Sequence, residues 1–211
     1  MAYTVGMRAA WLRFAGCRGC GSPIQRGSIM QNTNHISLRQ MVLCALLTAT
    51  TAVCSQIAVP MPWGVPINLA LFAVYMAGTM LGPVWGAASQ VVFVALAAIG
   101  VPVLAGFQGG PSAIFGKTGG YAIGYILTAL LTGLLAQRFG RRFWPLCAAM
   151  AIGCLACYVL GTAWFMTLTG ADLVSALGWC VLPFLPGDAL KIALAALVTI
   201  ELDKRLPHAG H

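Results

Sequence analysis

Two charged residues inside an otherwise apolar run carry the most chemical information in this sequence. They are Asp188 and Lys191, in the stretch Leu182-Pro183-Phe184-Leu185-Pro186-Gly187-Asp188-Ala189-Leu190-Lys191. Three residues apart, they share one face of a helix. A charge within a membrane segment is costly and by default marks a functional site. Two plainer arrangements compete: a mutual ion pair that locks the helix, or Lys191 reaching outward to the interface. The preceding Pro183–Gly187 stretch favours function. It cannot be regular helix throughout, and irregular backbone at membrane depth is tolerated only inside protein or around a cavity. The helix start that follows also offers free N–H groups to a ligand.

Lys117 is a third isolated charge, flanked by Gly116, Gly119, Gly120 and Tyr121. Glycines permit close approach of backbone to a ligand. The alternative is a tightly packed helix start with Lys117 in outer water. Asn68 offers an amide that can donate and accept, or it caps a helix. Trp63, Trp164 and Trp179 fit an aromatic belt at the membrane interface. Gln90, alone in an apolar segment, predicts an interhelical hydrogen bond. Apart from Gln90, these candidates gather at the outer ends of apolar segments. Apolar walls, Gly/Pro-shaped backbone and a few polar groups make a small-ligand site.

Catalysis is poorly supplied. The histidines, His35, His208 and His211, all lie near the termini, and no HExxH or GxSxG is present. Gly116-Lys117-Thr118 lacks the upstream glycine of a phosphate-binding loop. The chain therefore reads as neither an enzyme nor an ATPase, and needs no cofactor or metal. Of eight cysteines, Cys44, Cys54, Cys147, Cys154 and Cys157 sit in apolar segments as small hydrophobes. Cys17 and Cys20 form a lone CxxC without the second pair a zinc site needs.

The elements that must position these residues follow from composition. Of 211 residues, 60% are apolar and 8% charged, against roughly 45–50% and about 25% in a soluble domain. From Gln40 to Gly116 there is no Asp, Glu, Lys or Arg, whereas about 20 such residues already suffice for a span. These features predict an all-α integral membrane protein. Its six apolar segments run at about 41–59, 67–81, 84–99, 118–137, 144–168 and 181–202. Three prolines in 60–66 end the first, and Gly82-Pro83 separates the second from the third. Residues 1–29, basic and glycine-containing, read as an upstream extension before a natural start at Met30, or as a basic arm on the cytoplasmic leaflet. Residues 30–40 form a polar lead, 41–206 the membrane domain and 207–211 a tail.

The formal net charge is +8. In six spans, Arg39, the Arg138/Arg141/Arg142 cluster and the Lys204/Arg205 pair all fall on one side. The positive-inside rule makes that side, and both termini, cytoplasmic. Ala45 and Ala49 in the first segment, and Gly120 and Gly124 in the fourth, are small-xxx-small pairs suited to helix packing or to a partner subunit.

Residues 38–206 resemble the BioY family, the biotin-specific S components of energy-coupling factor (ECF) vitamin transporters. The resemblance rests on Val65-Pro66-Ile67-Asn68-Leu69, Leu81-Gly82-Pro83, Gly100-Val101-Pro102-Val103-Leu104-Ala105-Gly106, Gly116-Lys117-Thr118-Gly119-Gly120-Tyr121 and, most specifically, Leu182 to Lys191. It implies a six-helix S-component bundle in the cell (inner) membrane that captures biotin from outside. It also implies partners: a transmembrane T component, contacted through Ala45 and Ala49, and paired ABC-type ATPases, the sole users of ATP. Under it, Asp188, Lys191, Tyr121, Asn68, Gly119, Gly120, Lys117 and Gly106 are the candidate ligand-binding residues. Tyr121 and the Gly/Pro loops would wall the bicyclic ring, and Asp188 would accept the ureido N–H bonds. Lys191 would pair with the biotin carboxylate, or with the ureido oxygen and Asp188. The chain departs from the family pattern with Asn68 for Thr, Ala70 for Gln and Lys117 for Pro. Loss of Gln at Ala70 removes a candidate contact, Asn68 is its candidate replacement, and Lys117 adds a cation near the pocket. The alternatives are an S component for another vitamin, or a membrane protein without a transport role.

Overall fold

A computed structural model describes residues 38–62 and 65–205. The expectations for residues 1–29, Cys17 and Cys20, the polar lead up to 37, Trp63, the three histidines and the tail at 207–211 lie outside the described residues.

The first helix, α1 (Leu38–Gln56), stops before the proline-rich stretch. The chain then forms a two-stranded antiparallel ribbon, β1 (Ala58–Val59) and β2 (Ile67–Asn68), with Ala58 opposite Asn68. The sequence predicts an extended loop here; the added feature is that its two ends pair.

The long helix α2 (Ala70–Ala98) merges the second and third apolar segments. It is broken at Gly82, whose backbone lies at φ +80°, ψ −178°, a region open essentially to glycine alone. Pro83 then starts the second limb. A β carbon on Gly86 would lie 2.8 Å from Ala77 O and 2.9 Å from Gly78 Cα. Nine residues of straight helix would separate those positions by about 13 Å. The limbs 70–81 and 83–98 therefore fold back on each other as a hairpin, where the sequence places two segments.

A looped stretch follows, holding the short helix α3 (Pro111–Ile114), then α4 (Gly119–Phe139) and α5 (Phe143–Thr169). The stretch 169–180, expected as loop, instead contains α6 (Leu173–Cys180), and α7 (Leu185–Arg205) follows after a 50° bend. Asp172 caps α6 by accepting the Ser175 N–H. Pro186 falls in the first turn of α7, where a missing N–H costs little. Among the described residues, four helices are long and apolar enough to cross a membrane, five if α6 and α7 form one broken span. The protein is thus mostly helical, with seven helical segments among the described residues where the sequence predicts six uniform ones.

Small residues set the packing of α2, α4 and α5 at the centre. A β carbon on Gly78 would meet Ala129 O at 2.5 Å, and one on Gly124 would meet Cys157 Sγ at 2.9 Å. Gly120 and Gly124 thus serve internal packing. Ala45 and Ala49 do not: both are exposed on α1. Between α1 and the second limb of α2 runs a polar seam. Thr48 donates to Ser89 O at 2.9 Å, and the buried Gln90 amide donates to Thr51 Oγ1 at 3.4 Å, the interhelical bond expected of that residue. Large apolar side chains such as Val42, Leu155, Val159 and Leu194 cover the outside, an extent of apolar surface that soluble monomers rarely expose.

One end of the bundle is basic. Arg141, in the turn between α4 and α5, pairs with Asp203 near the end of α7 and donates to Thr79 O at 3.1 Å. Arg39 opens α1, whose other end reaches the loop around Leu104. The basic residues therefore lie opposite the end that carries the Gly/Pro-rich loops.

Candidate functional site

A cavity opens at the end away from the basic residues, and the break before α7 builds its floor. Phe184, just before α7, and Asp188 and Lys191, in its first two turns, line it. Asp188 is 2% exposed and Lys191 8%, so these charges are removed from water as a pair. Lys191 Nζ donates to Asp188 Oδ1 at 2.6 Å. Tyr158, from α5, donates its hydroxyl to Asp188 Oδ2, and Cys154 Sγ lies 3.8 Å from the same oxygen. Both carboxylate oxygens are thus oriented by donors. Oδ1 keeps a free lone pair, the second lone pair of Oδ2 meets only the weak Cys154 thiol donor, and the ammonium keeps two of its three protons. The floor presents fixed acceptors beside a fixed donor.

α4 supplies the opposite wall with Tyr121, Ala122 and Tyr125, preceded by Thr118. Their placement depends on neighbouring glycines. A β carbon on Gly119 would fall 1.6 Å from Ile114 O, and one on Gly120 would fall 2.3 Å from Trp164 Cβ. Only glycine lets the head of α4 pass beneath α3 and lie against α5. Gly161 likewise makes room for the Tyr121 ring, which a β carbon there would meet at 2.3 Å. The Tyr121 hydroxyl reaches Thr162 Oγ1 at 3.5 Å. Trp164 Nε1 donates to Gly116 O at 3.0 Å, fixing the turn before α4.

The mouth is made by β2, the start of α2 and the loop after α2. Asn68 lines it while its Oδ1 accepts the Ala70 N–H, the first of α2, at 3.2 Å. Leu104, Ala105 and Gln108 close the far side. This loop is tied down by the end of α1. Gln56 Nε2 donates to Leu104 O at 3.0 Å and Pro102 O at 3.3 Å, and its Oε1 accepts the Phe107 N–H at 3.0 Å. Ser55 donates to Val103 O. Phe107 is held at φ +56°, uncommon for a residue with a side chain. The cavity holds about 740 Å³ of atom-free space, its mouth included, of which about 90 Å³ admits the centre of a water molecule. The larger figure lies within the roughly 300–1,000 Å³ of small-molecule sites.

Of the eight candidate ligand-binding residues, the fold brings Asp188, Lys191, Tyr121 and Asn68 into one cavity. Gly119 and Gly120 are buried and adjoin the wall, acting through packing. Gly106 stands in the loop at φ +72°, beside the lining residue Ala105. Lys117 faces a separate open hollow with Pro62, Phe165, Thr169, Ala171 and Trp179. Two lining tyrosines escaped the sequence reading, Tyr125 and Tyr158. A tyrosine deep in an apolar helix needs a partner for its hydroxyl, and that need was the available signal for Tyr158.

Comparisons with known proteins bear on this geometry. The sequence pattern of the BioY family matches residues 30–208. The chain is 34% identical over 167 residues to the biotin transporter BioY of Thermotoga maritima, covering 79% of this chain and 97% of that one. It is 34% identical over 165 residues to the biotin transporter BioY of Rhodobacter capsulatus, covering 72% and 86%. Among solved structures, the crystal structure of the S-component for biotin from an ECF-type ABC transporter matches with a TM-score of 0.75 at 29% identity, covering 82% of this chain and 94% of that chain.

Proposed function

The chain belongs to the BioY family, and from that premise we propose that it binds biotin in the cavity described above, as the substrate-capturing S component of an ECF transporter. The observation that carries the proposal is the floor: a buried Asp188–Lys191 pair, braced by Tyr158, in a cavity of small-ligand size. The ureido head of biotin is complementary to this floor. Its N–H groups donate to Asp188 and its carbonyl accepts from Lys191. The reversed pose puts the biotin carboxylate on Lys191, directly beside Asp188. Two carboxylates sharing one ammonium repel each other, which favours the ureido pose. Tyr121, Tyr125 and Phe184 then flank the apolar rings, and the valerate carboxylate points toward the mouth.

The basic end faces the cytoplasm by the positive-inside rule, so the cavity opens outward and both termini of the membrane domain are cytoplasmic. The limbs of α2 each cross the bilayer, α6 and α7 make one broken span, and the count becomes six. The exposed Ala45/Ala49 face of α1 packs against the T component, since small residues let helices approach closely in lipid. Paired ATPases supply the energy. No bond is made or broken in biotin, and no cofactor takes part.

The test is mass spectrometry of small molecules released from detergent-purified protein, followed by biotin titration of the emptied protein. Stoichiometric, saturable biotin is the expected result. Folded protein that neither retains nor binds biotin overturns the assignment and directs the search to other vitamins.

A further inference from the structure

Lys117 does not line the cavity, yet its surroundings are organised. It lines an outward hollow with Phe165 and Trp179 as apolar walls and Pro62 at its edge. Apart from Lys191 it is the only cation at this end among the described residues, and it makes no ion pair with any of them. The acid nearest the hollow in sequence, Asp172, adjoins the lining residue Ala171, but its carboxylate is engaged in capping α6. The hollow shares a wall with the cavity: Lys117 faces one and its neighbour Thr118 the other. A solvated cation over an aromatic hollow matches a ligand with an anionic end and an apolar body.

We propose that this hollow is a vestibular site, where Lys117 collects amphipathic carboxylates and delivers them over the Thr118 wall into the cavity. The inference rests on the biotin reading, because its force comes from the negative charge of that ligand. Lys117 acts on the approach and not on the bound state. In the bound pose the carboxylate lies on the cavity side of the Thr118 wall and the Lys117 side chain on the other. Two unit charges of opposite sign about 6 Å apart in water attract enough to raise local concentration about threefold. At an ionic strength of about 0.5 M, where the Debye length is about 4 Å, most of that advantage is screened.

The experiment is stopped-flow tryptophan fluorescence on the full-length detergent-purified protein, with biotin and the neutral biotin amide as probes. Wild type, Lys117→Gln and Lys117→Arg are compared at low ionic strength and at about 0.5 M salt. The expected result is that Lys117→Gln slows biotin association about threefold at low salt, with the difference lost at high salt. Lys117→Arg should match wild type, the amide should be insensitive to the substitution, and biotin dissociation should not change. Equal slowing for the amide overturns the inference, as does an unchanged biotin association rate. A faster dissociation with normal association would place Lys117 on the bound ligand and equally overturn it. Equilibrium titration of the wild type separates the two levels: if biotin does not bind there at all, the functional reading itself has failed.

Discussion

Asp188→Asn and Lys191→Met, alone and combined, distinguish a binding couple from a packing lock. Both side chains are nearly excluded from water, with Nζ and Oδ1 2.6 Å apart. Lys191→Met keeps an unbranched side chain one atom shorter but strands a buried carboxylate, and breaking a buried pair this way costs about 3–5 kcal/mol. Asp188→Asn strands the ammonium with a similar penalty. The double variant removes both charges, so most of that loss should be recovered. Binding should behave differently. A hydrogen bond to a charged acceptor contributes about 1.5–3 kcal/mol and one to a neutral acceptor about 0.5–1.5. Two ureido N–H donors moved from carboxylate to amide then lose about 2–3 kcal/mol, a fall in affinity of about 30- to 150-fold. Loss of the Lys191 donor adds to this in the double variant. The assay is thermal unfolding in detergent for stability, beside isothermal titration with biotin for affinity. The expected pattern is two destabilised single variants and a double variant that is stable yet binds poorly. A double variant of wild-type affinity would refute the reasoning and leave the pair as a structural lock.

Tyr158→Phe removes one donor from the buried Asp188 carboxylate; biotin affinity should fall by about tenfold or more in titration of folded protein, and an unchanged affinity would mean Lys191 and Cys154 suffice to orient the acid. Gly82→Ala forces a side chain into a glycine-only backbone region and should lower stability by about 1–3 kcal/mol in detergent unfolding, whereas an unaltered midpoint would contradict the hairpin turn. Gln56→Ala releases three hydrogen bonds to the mouth loop; amide exchange across residues 101–108 should accelerate and biotin should dissociate about tenfold faster, and unchanged exchange would show that Ser55 suffices. Ala45→Leu with Ala49→Leu should leave titrated biotin affinity intact but abolish uptake by cells supplying the T component and ATPases; normal uptake would remove α1 from that interface.

The sequence by itself determined the class of this protein, the break at Gly82-Pro83 and the charged pair of its floor. Charge-free length forces membrane spans, because buried unpaired charge is too costly there. Gly82-Pro83 cannot continue a helix, so the break between two segments was legible although α2 runs from Ala70 to Ala98. Asp188 and Lys191 were legible because spacing within one helix fixes their relation without help from the rest of the fold. What lay across helices was not legible. In lipid the outside of a helix is as apolar as its packed face, so periodicity does not say which way a helix is turned. Only the tertiary structure turned Ala45 and Ala49 outward, while Gly120 and Gly124 were turned onto α5. Only close packing at Gly119, Gly120 and Gly161 sent Tyr121 into the cavity and left Lys117 in the hollow beside it. Tyr158 meets Asp188 from thirty residues away, a contact set by how α5 and α7 lie against each other and by no local pattern in either.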